Sequence, residues 1–162
     1  MNEKNKQKII DLKSKEEKMD YDAWAEEISK ANNKIIKDFE QFLKAEKLSK
    51  KTINRHINNV DTFANCYLTS YSYCGTIFDG YKDFGDFFGY WLITKYLGIS
   101  KSFMTAMITS MKKFYTFLFL AGYIDENSCA DAFVTLIEGK DEWLEQLEMF
   151  EDGTYYSQFD DL

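Results

Sequence analysis

Apolar residues recur at helical spacing along much of this chain. Over residues 33–47 they are Ile35, Ile36, Phe39, Phe42 and Leu43, one face of a helix. Ser49 is placed to cap a second helix by accepting from the Thr52 amide. Its expected buried face is Ile53, Ile57, Val60, Ala64 and Tyr67. Its expected wet face is Lys51, Asn54, Arg55, Asn58 and Asn59. A Ser-, Tyr- and Gly-bearing loop follows over residues 69–79. A third helix is predicted over 82–97, with Gly85 and Gly89 four apart as points of close contact and Gly98 as its stop.

Ser100 can cap a fourth helix that runs to Leu120, lined by Phe103, Met107, Met111, Phe114, Phe117 and Leu118, with Gly122 ending it. Asp125 can cap a fifth, carrying Ala130, Phe133, Val134 and Ile137. A separate acidic helix over 140–150 shows Trp143, Leu144, Leu147 and Phe150. The first thirty residues read as a charged helical lead-in, interrupted near Met19-Asp20-Tyr21-Asp22. The predicted organisation is an N-terminal helical extension over 1–32, a helical domain over 33–128, and an acidic helical extension with a tail over 129–162.

Composition fits that all-α reading. The 162 residues include no proline, the residue that breaks helix interiors. Hydrophobic residues at 45% and aromatics at 17% favour a packed core over disorder. The polar N-terminus lacks the features of a signal peptide, and the most apolar run, residues 114–121, is too short to span a bilayer. Three cysteines without CxxC spacing suggest reduced thiols, and so a cytoplasmic protein with no membrane association.

Charge is unevenly spread. Residues 1–60 carry 14 Lys/Arg and 11 Asp/Glu, net +3; residues 121–162 carry 1 and 12, net −11. A mildly basic body therefore joins a strongly acidic end, which bears on partners.

Two spaced stretches carry more specific information. The first is Leu48-Ser49, Thr52, His56, Val60 and Phe63. The second is Ile108-Thr109, Met111, Lys112, Phe114-Tyr115, then Gly122, Ile124 and Asn127. In order and separation they resemble the core-binding domain of the tyrosine recombinases, the phage-integrase family. The resemblance covers residues 33–128 and departs at His56, where an aromatic is usual, and at Ser128, where proline is common. It implies a SAM-like four-helix bundle with extra helices at both ends, and contact with duplex DNA.

The catalytic half of that family has no counterpart here. Its chemistry needs several Arg and His side chains around a phosphate, with a tyrosine nucleophile, and lysine is a poor substitute for the arginine fork. This chain has one arginine, Arg55, and one histidine, His56. The expectation is a non-enzyme with no cofactor and no metal site. The candidate DNA-backbone surface is Lys47, Lys50, Lys51, Asn54 and Arg55, with Lys44 nearby and Lys101, Lys112 and Lys113 on the fourth helix. His56 is expected to be a satisfied, partly buried side chain.

Two readings of the acidic end stay open. Trp143, Leu144, Leu147 and Phe150 could cover the core while the carboxylates stay in water. They could instead engage a partner: a recombinase or other basic protein, a second copy of the chain, or the basic face itself as an autoinhibitor. The aromatics of 71–96 read mainly as core, with loop residues Tyr71 and Tyr73 as possible stacking platforms for single-stranded nucleic acid.

Overall fold

A computed structural model describes residues 2–160 and 162. Among them there is no strand; the protein is an all-α bundle. Helix α1 (Asn2–Ser14) leads through a 3₁₀ turn, Glu16–Lys18, into α2 (Tyr21–Ala45). Helix α3 (Lys50–Asp61) continues through a π-helical turn, Thr62–Tyr67. Helix α4 is composite: 3₁₀ at Gly80–Asp83, α at Phe84–Asp86, π at Phe87–Trp91 and α again at Leu92–Lys95. Helices α5 (Lys101–Leu120) and α6 (Glu126–Glu151) follow, with a 3₁₀ turn, Tyr156–Phe159, near the end.

The helix ends follow local hydrogen-bond chemistry. Ser49 accepts from the Thr52 amide at 3.2 Å, Ser100 from Phe103 at 3.1 Å, and Asp125 from Ser128 at 2.7 Å. Gly98 and Gly122 adopt φ of 78° and 82° in the turns that close α4 and α5, a conformation costly for other residues. Lys47 takes φ 60° in the α2–α3 turn without that freedom.

Two expected boundaries fall inside helices. Position 32/33 lies within α2, whose buried stripe runs back through Ala31, Ile28 and Trp24. Asp20 caps this helix by accepting from Ala23, and Trp24 Nε1 donates to the Leu12 carbonyl at 2.8 Å, docking α1. The lead-in is therefore part of the core. Position 128/129 lies near the start of α6, which runs on as a single helix of 26 residues, about 39 Å long.

The expected break before residue 140 is absent, and Gly139 shows why. A Cβ there would lie 2.3 Å from Trp143 Cζ2. Glycine lets the indole fold back along its own helix and stack on Phe88, centroid to centroid 4.6 Å. Close approach of α4 and α6 occurs at Gly89, where a Cβ would meet Gln146 Oε1 at 2.9 Å; Gly85 has open space instead. Tyr155 then donates to the Gly89 carbonyl at 2.6 Å, pinning the segment after α6 onto α4.

Candidate nucleic-acid interface

Helix α3 divides as an amphipathic helix should, with one shift. Ile53, His56, Asn59 and Val60 face inward. Lys50, Lys51, Asn54, Arg55 and Asn58 are exposed. Asn59, expected in water, is buried because Ser110 of α5 offers it a partner: its Nδ2 donates to Ser110 Oγ at 2.9 Å. The same hydroxyl lies 2.8 Å from His56 Nδ1. The arrangement that satisfies all three groups has Ser110 accept from Asn59 and donate to His56, leaving the imidazole proton on Nε2.

His56 is 2% exposed, so it is buried fully rather than partly. Its pKa lies below the usual histidine value. Burial is the first cause, followed by the positive charges of Arg55 and Lys113; Glu46 partly opposes them. The imidazole is a neutral strut between α3 and α5, and it holds the outer face of α3 in place.

That outer face borders an open groove of about 950 Å³. Lys50, Lys51 and Arg55 supply its charge. Thr52, Asn54, Asn58, Asn59 and Thr62 supply hydroxyls and amides, and no carboxylate lines it. Tyr96 and Phe103 complete the wall. Their rings stack at 5.0 Å with 23° between planes, across the turn that joins α4 to α5.

The other candidate cations are placed differently. Lys113 binds Glu46 at 2.9 Å, Lys101 binds Glu148 at 3.3 Å, and Lys44 binds Glu40 at 3.0 Å. Lys47 and Lys112 do not line the groove. Among the described residues Lys47, Lys50, Lys51, Arg55 and Lys112 form no ion pair. The eight expected DNA-binding residues thus reduce to a cluster of four: Lys50, Lys51, Asn54 and Arg55.

No family model, curated protein or solved structure matches this chain. Among the described residues no group of His, Cys, Asp or Glu side chains is arranged to hold a metal ion, and no helix is long and apolar enough to cross a membrane.

The acidic end resolves residue by residue. Trp143 and Leu147 are buried, Leu144 is half-buried, and Phe150 is 36% exposed, its ring T-shaped against Tyr155. The first two are core and are not free to engage a partner. Tyr71 and Tyr73 stack on each other at 5.2 Å, and the Tyr73 hydroxyl donates to Asp86, so this pair belongs to the loop and not to the groove.

Tyr96 and Phe103, read from the sequence as core, do pack against it from partly buried positions; that they also line the groove was missed. For Phe103 a signal exists only once Ser110 is known to meet α3. Phe103 and Ser110 are seven residues apart on α5, nearly two full turns, so they share one helix face. Ser110 is the residue that meets α3.

Proposed function

We propose that this protein binds duplex DNA through phosphate contacts on the outer face of α3, as a non-catalytic relative of the recombinase core-binding domain. The observation that carries the reading is the groove: three exposed cations free of carboxylate partners, with amides between them and no acidic residue on the walls. Lysine, arginine and asparagine side chains of this kind make the backbone contacts that hold a protein on a duplex. The two sequence stretches that resemble the family support it from the other direction. Their Ser49 cap starts α3, while His56, where the resemblance departs, pairs with Ser110 to set the face of that helix.

Fluorescence anisotropy with a labelled duplex at low and moderate salt tests this. The intact protein should show binding that weakens as salt rises. Replacing Lys50, Lys51 and Arg55 by Ala should remove most of it. The salt dependence should flatten too, by roughly 0.9 in log–log slope for each phosphate no longer neutralised. No binding at low salt would refute the proposal.

A protein-interaction role is the second reading, and one observation favours it. The outer face of α6 exposes Glu138, Asp141, Glu142, Glu145 and Glu148, while Val134 and Ile137 are 50% and 62% exposed. Apolar side chains among carboxylates would suit a basic helix or a second copy of the chain. Binding to a basic partner that survives the triple substitution in α3, with no DNA binding by the intact protein, would favour this reading.

A further inference from the structure

The Tyr96–Phe103 pair is out of place on a surface built only for phosphates. Tyr96 and Phe103 are half-buried, as Phe42, Tyr90 and Trp91 are, but these two stand in the groove wall with Lys50, Lys51 and Arg55. A regular duplex keeps its bases stacked inside and presents sugar and phosphate, so apolar rings gain little against it. An unpaired base offers a π-face, which aromatic side chains stack against irrespective of sequence. The amides of Asn54 and Asn58, in the same groove, carry both donors and acceptors for a base edge. The groove volume, about 950 Å³, is ample for one nucleotide.

We infer that the groove takes one unpaired nucleotide of a DNA strand, its base against Tyr96 and Phe103 and its flanking phosphates on Lys50, Lys51 and Arg55. The inference rests on the DNA reading above and narrows it: the preferred ligand is a duplex interrupted by an extruded or bulged base.

The test compares a matched duplex with one carrying a single-nucleotide bulge of 2-aminopurine, by anisotropy at fixed ionic strength. The bulged duplex should bind about ten-fold tighter, at the lower end of what one stacked base contributes. The 2-aminopurine emission should fall on binding, because stacking quenches it. Tyr96→Leu and Phe103→Leu, each checked for native helicity by circular dichroism, should lose the preference, read as the ratio of bulged to matched affinity within each variant, together with the quenching. Equal affinity for the two duplexes, or a preference and quenching that survive both substitutions, would overturn the inference and leave the DNA reading standing. Absence of binding to either duplex would remove both.

Discussion

Lys101, the first residue of α5, reaches across to Glu148 near the end of α6, with Nζ and Oε2 3.3 Å apart. The two side chains are 55% and 59% exposed, so the pairing does little for stability. Its effect is electrostatic. Lys101 lies two residues before the groove residue Phe103, and Glu148 neutralises it there.

Glu148→Gln should therefore raise affinity for a DNA duplex by about two- to three-fold at low salt, with the gain fading at moderate salt as screening shortens to about 8–10 Å. Lys101→Ala should lower affinity by a similar factor, because it leaves the Glu148 carboxylate uncompensated beside the groove. Anisotropy titrations of the two variants at both salts provide the check, and unchanged affinity in Glu148→Gln would contradict the prediction.

Ser110→Ala removes the oxygen shared by His56 and Asn59. Two buried polar groups are then left without their partner, at a cost of roughly 1–3 kcal/mol. Urea denaturation should show that cost as a lower midpoint with an unchanged slope. DNA binding should weaken as well if the hydroxyl fixes the face of α3.

Stability should also depend on pH through His56. Its pKa in the folded protein is below the ordinary value of 6.5, so between the two values the unfolded chain binds the proton that the folded one refuses. Stability then rises with pH across that window and falls as pH drops below 6.5. Asp83 acts in the opposite sense, since burial raises its pKa and makes its acid form easier to keep folded. Comparing the intact protein with His56→Gln isolates the histidine. The difference in melting temperature between about pH 7.5 and about pH 5.5 should be smaller in the variant.

Gly139→Ala sets two effects against each other. Alanine favours the helix by about 1 kcal/mol over glycine. Its Cβ, however, would lie 2.3 Å from the Trp143 ring and drive the indole off Phe88, an overpacking cost of roughly 1–3 kcal/mol. The second effect should win. Lower stability in urea and a red-shifted tryptophan emission are expected; a gain in stability would show that the indole has room to move.

What the sequence made legible follows from the range of the interactions involved. The caps at Ser49, Ser100 and Asp125 and the stops at Gly98 and Gly122 depend on residues a few positions away, and they can be read from the chain. The expected boundary at 32/33 depended on a contact from farther along the chain. Asn32 is buried inside α2, donating to Asn65 Oδ1 at 3.0 Å, a partner 33 residues away. Asn59 was misplaced for the same reason, since Ser110 lies 51 residues on. In the candidate site, the charged half was visible as a helix face. The aromatic half was not, because Tyr96 and Phe103 meet only through the fold of the α4–α5 turn.

The continuity of α6 bears on how the negative charge of this protein could be regulated. Trp143, Leu147 and Tyr155 lie beyond Gly139 and all three are buried. Each contributes roughly 1.5–3 kcal/mol of apolar burial, a sum comparable to the whole stability of a typical small domain. Loss of the chain from Gly139 onward should therefore cost an amount comparable to the stability of the fold, so the acidic segment is not a detachable tail. The charge can be tuned only one surface carboxylate at a time, or covered by something that binds there.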